Sequence, residues 1–358
     1  MNTWERYVAK LSLTLFAGIT FALVSLFLVI DFGDWLSYYL GKPPLDVALL
    51  FWLRSHLAFS HLMPAALVLS SALTITVIRR RGEWTALRAL GGAPSSLLRP
   101  VLLVSGVLAC GVIAFDEFVV SRSGPESEQL MLTRFNHRSG DFFAVYSPRR
   151  WFRAGDALVN VRGEVNPERL EDVRVFRLGP AHELVEWIDA RSLRFIAHGR
   201  WIASGAVVTR LEGATVKEGP RGELELSLAL APEATQLVTG RPQWMSSKRL
   251  NKQLELLDAL ALPTEATRYA LHQRFAVPVA VLAAALIVML LGLRAQASVP
   301  RALLEGAVLY GALFVAGMVT RSLAVNGHVT PPLAAWLLPM GLGAVGALFA
   351  FASRRSAS

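Results

Sequence analysis

Six stretches of this chain, at roughly 11–30, 56–78, 99–120, 275–293, 302–324 and 331–352, are apolar over the ~20 residues a helix needs to cross a hydrocarbon core. A bilayer offers no water to unpaired backbone groups, so runs of this kind are confined to helices. The first, Leu11 to Ile30, carries no charge, is too long for the apolar region of a secretory leader and is followed by no small-residue cleavage site, so it reads as a retained span. Between the third and fourth runs, residues 121–270 are of mixed polarity. The layout predicts an α+β membrane protein with six transmembrane helices in a 3+3 arrangement: spans in 1–120, an inserted soluble domain in 121–270, and spans in 271–358. Composition agrees, with 53% hydrophobic and only 18% charged residues, against about 25% charged in ordinary soluble domains.

A net charge of +9 on a chain with 36 basic residues invites a nucleic-acid reading. The positions of the charges exclude it. Arg6, Lys10, Arg79, Arg80, Arg81, Arg88, Arg99, Arg294, Arg301, Arg354 and Arg355 all flank spans on one side of the predicted membrane, accompanied by Glu5 and Glu83. Those residues carry the whole excess, less one unit if Glu305 is counted with them, and the remainder of the chain is nearly balanced. This is a positive-inside signal: both termini are expected in the cytoplasm and the central domain on the far side.

Within 121–270, short strand-like pieces alternate with turn signals. Leu224, Leu226, Leu228 and Leu230 fall on one face at period two, and Leu158–Val161, Val173–Phe176, Ser192–Ala197 and Ala206–Arg210 are further candidates. Breakers stand at Asn166-Pro167, Gly179-Pro180, His198-Gly199, Ser204-Gly205 and Gly219-Pro220. Gly199 to Gly205 reads as strand, turn, strand, with Trp201 a core anchor. The spacing predicts an all-β sandwich or open barrel. Leu250–Leu260 has helical spacing, and Pro263-Thr264-Glu265 opens a helix that runs into the fourth span, with Thr264 a possible cap.

Catalytic chemistry finds no support. There is no P-loop, since Gly41-Lys42 is followed by two prolines, and no Gly-x-Ser-x-Gly elbow. The seven histidines are scattered, His56 and His61 lack zinc-site spacing, and the single cysteine, Cys110, lies in an apolar run. Asp116-Glu117 reads as a solvated cap ending the third span, with a proton relay as the less favoured alternative. The expectation is a non-enzyme with no catalytic residue, no metal site and no cofactor of its own.

The loop Arg79 to Pro94 is more informative. Gly82 and Gly91-Gly92 bracket a helix of about two turns over 83–90, with Trp84, Leu87 and Leu90 at three-residue spacing and Glu83 and Arg88 as charged contacts. A helix that short is unstable alone in water. It therefore either docks on a partner or lies in the headgroup region with its arginines on anionic membrane lipid.

Arg81-Gly-Glu-Trp-Thr-Ala-Leu-Arg-Ala-Leu-Gly91 with Leu98-Arg-Pro100, then Leu271-His-Gln-Arg-Phe-Ala-Val-Pro278, then Pro331-Pro-Leu-Ala-Ala-Trp-Leu-Leu-Pro339 resemble, in this order, the LptF/LptG permeases of the lipopolysaccharide exporter. Trp151 to Asp156 and Leu170 to Val175 are similar to that family's periplasmic β-jellyroll. The resemblance implies a multi-pass protein of a bacterial inner membrane, paired with a second LptF/LptG-type permease above an LptB-type ATPase dimer that uses the ATP. It also implies LptC- and LptA-like periplasmic jellyroll proteins as partners and lipopolysaccharide as substrate. Glu83 matches the family's acidic coupling residue, with Trp84, Leu87, Arg88 and Leu90 on the same coupling helix. Topology places Lys42, Arg54 and Arg321 where substrate phosphates would lie, interfacial anchoring being the other reading of each. Leu224, Leu226, Leu228 and Leu230 are candidates for an acyl-chain surface or for a closed β-core. One departure stands out: Asp31 and Asp34 occupy a region where the family often carries basic residues. Two competitors remain at this point, a membrane-anchored β-domain acting as scaffold or receptor and a membrane enzyme using Asp116 and Glu117.

Overall fold

The computed structural model describes residues 3–135, 150–161, 165–166, 169–179, 183–197, 199–212, 215–219, 222–228, 241–259, 263–294 and 298–355. The chain divides into a helical unit, built from residues 1–139, 242–250 and 264–358, and a second unit built from 140–241 and 251–263.

Among the described residues, six helical stretches of the first unit are long and apolar enough to cross a membrane. In chain order its helices are α1 (Thr3–Tyr39), α2 (Pro44–Arg80), the short α3 (Glu83–Ala89), α4 (Ser95–Phe115) and α5 (Ser121–Thr133). A π-helical turn, Asp116–Val120, joins α4 to α5. After the strands come α6 (Ser247–Ala259), α7 (Glu265–Arg294), α8 (Val299–Val325) and α9 (Pro331–Arg355). Proline opens α2, α8 and α9; in a first turn its missing N–H would be unpaired anyway and its φ is already helical.

The helices outrun the apolar segments that announced them. Hydropathy marks only the part matched to hydrocarbon, whereas α1 and α2 each continue to 37 residues. The third run does not end near residue 120 either: helix persists through 121–133, a polar stretch whose Gly124-Pro125 looks like a loop signal. Gly124 is there for packing. A Cβ on it would come 2.6 Å from the Trp244 ring, a distance no side chain tolerates.

α2 and α7 form the centre of the bundle. α2 packs against α1, α4, α7 and α8, and α7 against α2, α4, α8 and α9. Their shared core contains Ala66, Ala72, Ala109 and Ala284, all at most 2% exposed. Small residues at such positions let backbones approach, which matters in lipid because helix association there relies on packing. The most apolar window of α2 is 67% buried, against 11% for those of α1 and α8.

Among the described residues the second unit carries eight strands: β1 (Arg150–Ala154), β2 (Ala157–Val161), β3 (Val165–Asn166), β4 (Arg169–Leu178), β5 (Leu184–Ala197), β6 (Arg200–Glu212), β7 (Thr215–Glu218) and β8 (Gly222–Ser227). They form one antiparallel sheet in the order β1-β2-β4-β5-β6-β7, with β3 beside β4 and β8 beside β6. All four interior strand candidates fall inside β2, β4, β5 and β6.

The expected turn at Ser204-Gly205 is instead a bulge within the continuous strand β6. Its pairing with β8 slips between Ala203 and Ala206, and Gly205 has φ +62°. The buried face changes at the same line in the two neighbouring strands. Buried positions change parity from Leu170 to Val173 in β4, from Ala190 to Leu193 in β5 and from Ala203 to Ala206 in β6. Pairing of Glu171 with Ser192, Val173 with Ala190, Asp189 with Val207 and Ser192 with Ser204 keeps one register across this line and puts Asp172, Arg191 and Gly205 side by side. Asp172 also has positive φ, +49°. Each strand swaps faces at this line, so the sheet bends and one core serves both halves. Gly205→Val is expected to lower stability by about 1–2 kcal/mol, the cost of a left-handed β-branched residue. Thermal unfolding of the purified full chain reads this, and an unchanged midpoint would show that the bend does not need glycine.

Candidate functional site

At one end of the bundle the loop after α2 carries the short helix α3. Arg79 and Arg80 close α2, where cations complement the helix dipole. The Arg79 guanidinium donates to the Gly292 carbonyl and so ties the end of α2 to that of α7. The chain turns through Gly82 into α3, only seven residues long. At its other end Gly91, at φ +81°, and Gly92 donate to the carbonyls of Arg88 and Leu87 at 3.0 and 2.9 Å. This is a Schellman motif, which satisfies the last carbonyls and stops the helix.

The predicted apolar edge of α3 is divided. Trp84 is 8% exposed and packs with Val8, Ile75, Ile78, Leu97, Val101 and Met289, and Leu87 joins that cluster. Leu90 is 86% exposed. The helix ends at Ala89, so Leu90 falls in the capping turn, off the inward face. Trp84 and Leu87 thus hold the helix to its own bundle, and the exposed surface consists of Thr85, Ala86, Arg88, Ala89 and Leu90. Beside it lies a groove of about 550 Å³ lined by Arg79, Trp84, Thr85, Arg88, Ala89 and Leu293.

Glu83 stands at the start of this helix, half-buried. Its Oε1 accepts from the Tyr7 hydroxyl at 3.0 Å and lies 3.8 Å from the Arg81 guanidinium, which itself donates to the Tyr7 oxygen at 3.0 Å. Its Oε2 is enclosed and has no hydrogen-bond partner among the described residues.

At the opposite end of the bundle, the candidate phosphate contacts differ from one another. Arg54 is bound to Asp31 at 2.5 Å, with the two side chains 18% and 13% exposed, and lies over the Trp35 ring at 5.4 Å. Asp31 therefore neutralises a cation of α2 from within the bundle. Lys42 donates to the Arg134 carbonyl at 3.0 Å and faces the Phe135 ring at 5.9 Å. Arg321 is exposed on α8 and forms no ion pair among the described residues. In the sheet, Leu226 and Leu228 are 2% and 1% exposed in the core around Trp201, with Leu224 packed against it. Leu226 and Leu228 thus lie inside the sheet core and Leu224 at its margin. Leu230 lies outside the described residues.

Asp116 and Glu117 are not a solvated cap. Asp116 accepts from Ser60 Oγ of α2 at 2.5 Å. Glu117 accepts from the Ser247 backbone N–H at 2.9–3.0 Å, the Ser247 hydroxyl at 2.9 Å and Arg274 Nη1 at 2.7 Å. The Arg274 side chain is 6% exposed and also donates to Ser247 Oγ at 3.1 Å and to the Met245 carbonyl. Sequence reasoning missed Arg274 although it stands inside the Leu271–Pro278 motif. A lone arginine near the start of an apolar helix looks like an interfacial anchor, and its acidic partner lies 157 positions away. Among the described residues no cluster of His, Cys, Asp or Glu is arranged to hold a metal ion.

A family model described as lipopolysaccharide export system permease LptF/LptG covers residues 6–352. No curated protein matches the chain.

Proposed function

Because this chain belongs to the LptF/LptG family of lipopolysaccharide export permeases over nearly its whole length, we propose that it is one of two permeases that extract lipopolysaccharide from the inner membrane for passage towards the outer membrane. As a family member it is a multi-pass inner-membrane protein and a component of a transporter rather than an enzyme. The finer reading adds a 3+3 topology with cytoplasmic termini, a periplasmic jellyroll-type domain in the curved sheet, a second permease of the same kind and an LptB-type ATPase dimer on the cytoplasmic side.

The observation that carries the coupling role is the two-sided construction of α3. One face is anchored in the bundle through Trp84, and the other presents Thr85, Arg88, Ala89 and Leu90 beside an open groove. A partner seated there pushes on a part already fastened to α1, α2, α4 and α7. Glu83 opens the same helix, and its bonds to Tyr7 of α1 and Arg81 join the start of α3 to the bundle.

Moving the substrate demands apolar surface at every stage, because each acyl CH₂ exposed to water costs about 0.8 kcal/mol. Exposed faces of α1, with Phe21, Val29 and Ile30, and of α8, with Leu304, Val308 and Val315, supply such surface to lipid and to a second permease. Edge strands β1 and β7 leave backbone groups on which LptC- or LptA-like sheets would add further strands.

Glu83→Ala provides the test. In the assembled transporter the amount of lipopolysaccharide released per ATP hydrolysed is expected to fall about tenfold or more, with assembly intact and stability changed by less than about 1 kcal/mol. Normal export by this variant would refute the coupling assignment.

A further inference from the structure

Three helices of the bundle lose their regular hydrogen bonding around one polar cluster. Pro64 in α2 and Pro278 in α7 each withdraw the bond that the carbonyl four residues earlier would accept. Those earlier residues are Ser60 and Arg274. Between these helices α4 passes into α5 through the π turn, whose first two residues are Asp116 and Glu117. Asp116 is bonded to Ser60 and Glu117 to Arg274, so consecutive acids of the irregular turn grip the two proline-broken helices where each is broken. Pro64 and Pro278, with Ala109 and Val112 of α4, also line one water-sized void of about 20 Å³. Proline breaks and π turns are where helices bend. All three helices can therefore flex around this cluster.

On one side of the breaks α2, α3 and α7 are already joined, by the Trp84 cluster and by the bond from Arg79 to the Gly292 carbonyl. On the other side the Glu117–Arg274 pair binds the π turn to α7 and, through Ser247 and the Met245 carbonyl, to the start of α6.

We infer that Glu117 and Arg274 are positioning residues of the transport cycle. Their ion pair fastens the π turn, α7 and the first turn of α6 across the breaks, so that a displacement of α3 reaches the far end of the bundle instead of being absorbed by bending. The inference rests on the export reading for its displacement at α3 and assigns these residues no contact with substrate.

The test uses the assembled transporter in membrane vesicles and measures ATP hydrolysis and lipopolysaccharide release together. Glu117→Gln and Arg274→Gln are expected to lower release per ATP about tenfold while hydrolysis stays within about twofold, and Arg274→Lys to keep release within about threefold. Wild-type release by the glutamine variants, or an equal fall in both activities, would overturn the inference. A readout independent of export is the distance distribution between spin labels at the exposed positions Ala89 and Glu126 of the Cys110→Ser chain. Glu117→Gln is expected to broaden it, and if that variant does not assemble, Ser247→Ala is expected to broaden it to a lesser degree. An unchanged width refutes the fastening role. Absence of nucleotide-driven release from the unsubstituted transporter would sink the export reading, and the label distances would then decide the fate of the ion pair by themselves.

Discussion

Trp84→Ala is expected to cost about 3–5 kcal/mol, the range for deleting a large buried aromatic side chain, and to abolish stable attachment of the proposed ATPase partner. The indole is 8% exposed and packs among side chains of α1, α2, α4 and α7, so its removal leaves a cavity that four helices line. The consequence for α3 is larger than for its neighbours. Seven residues form too short a helix to persist without tertiary support, so losing the anchor releases the helix as a unit. Leu90→Ala supplies the contrast. That side chain is 86% exposed, so stability should change by no more than about 0.5 kcal/mol, while co-purification of the proposed ATPase partner weakens. The two variants separate anchorage from docking when melting temperature and complex yield are measured side by side. If Trp84→Ala melted and assembled like the parent, α3 would have to be held by something other than this indole.

Trp201→Ala is expected to have an effect of similar size on the other unit. Trp201 is fully buried in the sheet core. Its ring meets Phe195 edge-on, with centroids 5.3 Å apart, and it pairs across the strands with Phe195 on one side and Leu226 on the other. A loss of about 3–5 kcal/mol is a large share of the ~5–15 kcal/mol that holds a domain folded. The helical unit has its own core, around Leu67, Val68, Ala109 and Ala284. Limited proteolysis of the full chain should accordingly open sites between residues 150 and 228 first and leave the membrane helices intact. Cleavage at the parental rate would show that the sheet does not depend on this residue.

Both variants touch residues that the sequence marks clearly, Trp84 between paired glycine signals and Trp201 in a strand-like segment. The division of labour inside the Trp84 loop was not legible. Spacing alone puts Trp84, Leu87 and Leu90 on one edge, and only the capping turn at Gly91-Gly92 moves Leu90 away from the other two. The sheet behaved likewise. Its strands follow from alternating hydrophobicity, but Ser204-Gly205 carries the composition of a turn and proves to be a bulge, because the ladder of β6 with β5 continues in one register on both sides of it and only the pairing with β8 slips.

The number of membrane-crossing helices, the region that forms strands and the end of the bundle that gathers the arginines follow from hydropathy and charge, quantities that sum over local residues and need no knowledge of neighbours. Tertiary structure alone decided that Asp31 occupies Arg54, that Leu226 and Leu228 are buried around Trp201, and that Glu117 faces Arg274. Each of these is a contact between residues distant in sequence, and the strength of a charge in an apolar bundle depends almost entirely on which partner the fold brings within hydrogen-bonding distance.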